Sequence, residues 1–127
     1  MKFLSIIRPL NIFIALLASF IIGSIIVDID IEAFIYICIV LSTYMAAGNI
    51  LNDLCDIEID RINKPKRVLV RYNINRRYII ILIIFLFTTG SIATSTLPIL
   101  SRNIALYIAL PGIIFYELIF KRLPFIG

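Results

Sequence analysis

Residues 33–60 read AFIYICIVLSTYMAAGNILNDLCDIEID. Up to Leu51 this stretch carries no charge, and as an α-helix those residues extend about 28 Å, close to the thickness of a bilayer's hydrocarbon core. Four of the chain's eight acidic residues then follow within nine positions. The pattern is that of a membrane-crossing helix that continues into water. If the helix runs on unbroken, Asn49, Asp53, Asp56 and Asp60 stand at i, i+4, i+7 and i+11, on one face. Like charges at that spacing repel, so the stripe weakens the helix unless a cation sits among the carboxylates. Oxygen ligands without His or Cys suit magnesium, manganese or calcium.

Three further apolar runs surround this one, at residues 10–27, 79–97 and 103–120. Together they predict an all-α, polytopic membrane helix bundle with four transmembrane helices, at about 10–27, 33–56, 79–97 and 103–120, forming one membrane domain over residues 1–127. Composition agrees, because 61% of the residues are hydrophobic, 31 are isoleucine, and the mean hydropathy is +1.06. A soluble domain holds roughly half apolar residues, and a core of this size cannot absorb such long uncharged runs. The first run follows Lys2 as a signal peptide would, but it begins late and lacks a small-residue cleavage site, so it reads as retained. Ala46, Ala47 and Gly48 permit close approach of another helix, and Pro111 with Gly112 predicts a kink in the fourth span.

The basic residues give the bundle an orientation. Lys2 and Arg8 precede the first run, seven lie between Arg61 and Arg77, and Lys121 and Arg122 follow the last, so eleven of twelve fall in alternate loops. By the positive-inside rule the N-terminus, the loop at 61–78 and the C-terminus face the cytoplasm, while Asp28, Asp30, Glu32 and Arg102 lie outside. This placement accounts for the net charge of +4 without a nucleic-acid partner. The absence of histidine excludes most zinc sites, His-ligated haem and Ser-His triads. Cys38 and Cys55 form neither a disulfide framework nor a metal motif.

An acidic face followed by a basic, Pro65-containing loop is a sensible arrangement for a metal-complexed diphosphate: carboxylates hold the cation and basic side chains hold phosphate oxygens. The competing reading is a charged loop of solvated ion pairs. Asn49 and Asp53 adjoin the apolar run, however, where an unpaired carboxylate is costly and marks a functional site.

The motif N-D-x-x-D-x-x-x-D followed by Asn-x-Pro, in NILNDLCDIEIDRINKP, resembles the first aspartate-rich motif of the UbiA superfamily of intramembrane prenyltransferases. The opening IIRPLNIFIALLASFIIG is similar to the Arg-Pro-x-Asn start of its archaeal members, and YELIFKRLPFIG resembles the segment closing their fourth helix. The resemblance, strongest to the archaeal ether-lipid branch, implies Mg2+-dependent transfer of a geranylgeranyl group from its diphosphate to geranylgeranylglyceryl phosphate. Its alternatives are prenyl transfer to an aromatic quinone precursor, or a non-enzymatic cation-binding membrane protein or degenerate remnant.

Carried over by position, the resemblance makes Asp53, Asp56 and Asp60 catalytic and, with Asn49, the metal set. Asn52 belongs to the written motif, and Lys64 and Arg67 contact phosphate. Arg8 reads equally as an interface anchor or a phosphate contact. The family has about nine spans and a second aspartate-rich motif, whereas the only acid here after Asp60 is Glu117. The expected partners are therefore a polyprenyl diphosphate, a lipid acceptor, the membrane and a possible second chain that supplies the facing half. Glu117 itself reads as snorkelling or pairing with Lys121 at i+4. The tyrosines read as packing or interfacial-belt residues rather than cavity lining.

Overall fold

The computed structural model describes residues 2–26 and 30–119, and every regular element among them is helical. A short 3-10 helix, Lys2–Ile7, leads into α1 (Pro9–Ile26), followed by α2 (Ile31–Cys55), α3 (Ile57–Asn63), the single turn α4 (Val68–Arg71) and α5 (Arg76–Thr94). The last helix is α6 (Ile99–Leu118). The all-α membrane architecture expected from the sequence is what these helices form.

Helices α2, α5 and α6 are long and apolar enough to cross a membrane. α1 is apolar over its 18 residues. Large side chains such as Phe13, Phe20, Ile22, Ile84, Phe85 and Ile108 are exposed along these helices. Such a surface is stable facing hydrocarbon and unstable facing water. Hydroxyls within the spans bond to their own helix: Ser19 to the Ala15 carbonyl at 2.8 Å, Thr43 to Ile39 at 2.8 Å and Thr88 to Ile84 at 2.7 Å. These bonds satisfy the hydroxyls where no water is at hand.

The centre of the bundle is the α2–α5 pair. On α2, Val40, Tyr44, Ala47, Leu51 and Leu54 recur every three or four residues and are buried. On α5, Ile79, Ile83, Phe87 and Gly90 recur in the same way and meet them. Gly90 allows the closest approach, since a Cβ there would lie 2.6 Å from the Tyr44 ring and against Thr43 Oγ1. Tyr44 packs edge-on to Phe87 at 5.7 Å, and its hydroxyl shares a 3.0 Å hydrogen bond with Ser91. It is thus a packing residue, bridging the two helices by ring and hydroxyl.

The small residues at the end of the apolar run behave as expected. Ala46 and Ala47 are buried, and a Cβ on Gly48 would stand 3.1 Å from Ile113 of α6. In α6 the disturbance expected at Pro111 takes the form of a π-helical segment at Ala105–Ala109, where the Leu110 amide reaches back to the Ala105 carbonyl. Pro111 has no N–H and its ring crowds the carbonyl four residues earlier, and a wider turn immediately upstream relieves both. Gly112 faces open space and contributes nothing to packing.

Candidate functional site

The polar end of α2 departs from the unbroken helix expected over residues 49–60. α2 stops at Cys55, Asp56 turns with φ −93° and ψ 7°, and α3 restarts at Ile57. Helical hydrogen bonds still span the break, from the Asp56 amide to the Asn52 carbonyl at 3.0 Å and from the Asp60 amide to the Asp56 carbonyl at 2.8 Å. The break has a local cause: mutual repulsion of the carboxylates weakens this turn, and an aspartate readily leaves helical geometry. Lys64 then leaves helical geometry, with φ −139° and ψ 63°, before Pro65, whose ring disfavours the helical region for the residue preceding it. The chain reverses there and brings Arg67 back over the end of α2.

Asp53 is the hub. It is buried at 7% exposure, and its Oδ1 accepts from Arg67 Nη1 at 2.6 Å, Arg8 Nη2 at 2.8 Å and Asn52 Nδ2 at 3.3 Å. Arg67 also reaches toward Asp60, also 7% exposed, with Nε 3.9 Å from Oδ2. One guanidinium therefore lies between two buried carboxylates from different helices. Charge-assisted bonds of this kind are shorter and stronger than neutral ones.

The second arginine arrives through a distorted backbone. Arg8 has φ 54°, in the left-handed region that non-glycine residues avoid. Pro9 bars the right-handed helical conformation from the residue before it, and the left-handed turn swings the Arg8 side chain onto α2. A second tie, from Asn49 Nδ2 to the Ile7 carbonyl at 2.9 Å, fixes the same segment. The Arg8–Pro9 dipeptide is the signal, visible in the sequence, of a turn at this point. Nothing in the one-dimensional spacing reveals that the turn delivers Arg8 to Asp53.

Of the residues singled out from the sequence, the structure gathers Arg8, Asn52, Asp53, Asp60 and Arg67 at one place. Asn49 lies one turn earlier on α2, with its amide nitrogen engaged by Ile7. Asp56 is half-buried at the helix break, and Lys64 is exposed. Glu117 is half-buried on α6, while Asp28, Lys121 and Arg122 lie outside the described residues. Among the described residues no group of three or more Asp, Glu, Cys or His side chains gathers in a way that could hold a metal ion. Two buried carboxylates do face a common cation, the Arg67 guanidinium. Magnesium commonly takes only one or two protein carboxylates together with substrate phosphates, so the donor chemistry of Asp53 and Asp60 fits a hard divalent ion.

The match to known proteins follows this geometry. Residues 10–127 match the model of the UbiA prenyltransferase family. The chain belongs to that family. Among curated relatives, the digeranylgeranylglyceryl phosphate synthase of Haloquadratum walsbyi is 40% identical over 65% of this chain and 28% of its own length. The synthase of the same name from Methanospirillum hungatei is 39% identical over 98% of this chain and 45% of its own, and that of Thermococcus kodakarensis is 31% identical over 98% and 46%. The chain thus spans less than half the length of the relatives that it matches. No solved structure matches it significantly.

Proposed function

We propose that this chain forms the diphosphate-holding part of an intramembrane prenyltransferase of archaeal lipid synthesis. The transfer moves a geranylgeranyl group from its diphosphate to geranylgeranylglyceryl phosphate. The observation that carries this reading is the pair of buried carboxylates, Asp53 and Asp60, sharing Arg67 at the end of an apolar span, with Arg8 converging on Asp53. The shared name of the relatives supports a glycerol-phosphate lipid as acceptor in preference to an aromatic one.

In this proposal Asp53, Asp56, Asp60 and Asn49 offer oxygens to Mg2+, with Asn52 orienting the Asp53 carboxylate. When bound, the ion would neutralise charge developing on the diphosphate. Arg67, Arg8 and Lys64 hold phosphate oxygens, Arg67 as a planar fork and Lys64 as a point charge. The allylic C–O bond to the diphosphate breaks, the acceptor hydroxyl oxygen bonds to the same carbon, and its proton is lost. The apolar helices hold the prenyl chain out of water. All four apolar runs cross the cell membrane, with the Asp53 end cytoplasmic. A second aspartate-rich set comes from a further segment or a second chain.

The test is transfer of labelled geranylgeranyl diphosphate by detergent-purified protein with magnesium, alone and with a companion chain bearing a second aspartate-rich motif. Transfer that disappears with Asp53→Ala supports the proposal. Absence of transfer to either a glycerol-phosphate or an aromatic acceptor in both arrangements sinks it.

A further inference from the structure

We infer that the empty site guards itself: Arg8 and Arg67 occupy Asp53 as counter-ions, shut out a divalent cation or a diphosphate that arrives alone, and admit the two together. Arg8 is the guard that is released, a positioning residue that acts on the cation through Asp53. This inference rests on the diphosphate site proposed above and adds a condition on how that site is filled.

Charge sets the first condition. Two guanidiniums and two carboxylates leave the side chains of Arg8, Arg67, Asp53 and Asp60 without net charge as a group. A divalent cation alone would add two positive charges beside Arg8 and Arg67. A diphosphate alone would set several negative charges beside Asp53 and Asp60. Both are repelled, and partly buried charges are screened less than exposed ones. A cation and a diphosphate together nearly cancel, and each takes the partners that the other releases. The coupling is reciprocal, so each ligand should tighten the binding of the other by the same factor.

Geometry sets the second. A carboxylate oxygen has about two lone-pair sites, and Asp53 Oδ1 already accepts from three donors, at 2.6, 2.8 and 3.3 Å. A cation therefore reaches this oxygen only when a guanidinium leaves. The side chains of Asp53 and Asp60 are 9% exposed, whereas those of Arg8 and Arg67 are 32% and 30% exposed. The arginines, on long flexible stems, are the parts able to swing toward incoming phosphate oxygens. Arg67 is drawn by Asp60 as well as Asp53, while Arg8 pairs with Asp53, which makes Arg8 the readier to go. Its backbone need not move, because Pro9 and the bond from Asn49 to the Ile7 carbonyl hold the turn from which the side chain pivots.

The test is equilibrium dialysis of Mn2+ against the full chain in neutral detergent, with and without inorganic pyrophosphate. Ion complexed by pyrophosphate in solution passes the membrane and is the same for every variant. About 1 M potassium chloride cuts the screening length to about 3 Å, so that only direct contacts count. The wild type should bind Mn2+ weakly alone and at least tenfold more tightly with pyrophosphate. Arg8→Gln should bind Mn2+ alone about tenfold more tightly than the wild type, the worth of one charge-assisted bond, and gain less from pyrophosphate. A residue that merely contacts phosphate would leave the affinity for Mn2+ alone unchanged. Arg71→Gln, the same charge lost at an exposed arginine outside the cluster, should behave as the wild type. Should Arg8→Gln fail to fold by circular dichroism, Arg67→Gln reads the same gain in Mn2+ affinity. Equal affinity for Mn2+ alone in the wild type and the guard variant, or an equal gain in Arg71→Gln, would overturn the guard and leave the diphosphate site standing. No retention of Mn2+ by any variant, or a wild-type affinity that pyrophosphate leaves unchanged, would remove the site and the guard with it.

Discussion

Replacing Asp53 by alanine should unlatch two distant parts of the chain at once. Its Oδ1 accepts from guanidiniums 45 residues before it and 14 residues after it. A hydrogen bond to a charged group contributes about 1.5–3 kcal/mol, and removal of one partner from a buried pair leaves the other charge stranded. The Arg8 and Arg67 side chains are 32% and 30% exposed, however, so each can turn toward water and recover part of the loss. With that discount, Asp53→Ala should destabilise the fold by about 3 kcal/mol, and Arg8→Gln by about 1 kcal/mol. Loss of helical circular dichroism during unfolding in mixed micelles measures both effects. Combined with Arg8→Gln, Asp53→Ala should lose less than the sum of the separate effects, because the shared bond can be broken only once. Strict additivity, or an Asp53→Ala variant as stable as the wild type, would refute the hub.

Four other outcomes are expected. Gly90→Ala forces a methyl against Thr43 and Tyr44 and should destabilise by about 1–3 kcal/mol. Gly112→Ala, with open space around it, should be neutral or stabilising by up to about 1 kcal/mol in the same unfolding assay. Tyr44→Phe keeps the ring contact with Phe87 and loses only the bond to Ser91, a loss of about 0.6 kcal/mol for an interhelical membrane hydrogen bond. Inorganic pyrophosphate with magnesium should raise the unfolding temperature of the wild type, as any ligand selective for the native state does. An equal rise in the Asp53→Asn, Asp56→Asn double variant would remove these residues from the binding set.

Local chemistry along the chain was enough to determine the helical membrane class, because uncharged runs near bilayer length leave few other stable solutions. It also located the acidic face, since Asn49 and Asp53 directly adjoin such a run. The small residues before them, and the effect of Pro111, were legible for the same reason: each acts on its immediate neighbours or on any helix that packs there. Family membership was likewise carried by the contiguous motif at residues 49–65.

Other features depended on contacts between residues far apart in sequence. Spacing alone makes Asn49, Asp53, Asp56 and Asp60 one stripe, but the break at Asp56 divides it between two helices. Arg67 could be read as a phosphate ligand from its loop, yet its place between Asp53 and Asp60 required the chain reversal at Pro65. Arg8 was undecided between anchor and ligand until its left-handed turn brought it to Asp53. An apolar cavity lined by Ile7, Ile50, Leu69 and Ile79 exists only where four segments meet. A sequence records which charges a chain carries and how often they recur, while the partner that neutralises each charge is set by how the chain folds back on itself. For Asp53, that decided which two arginines it holds.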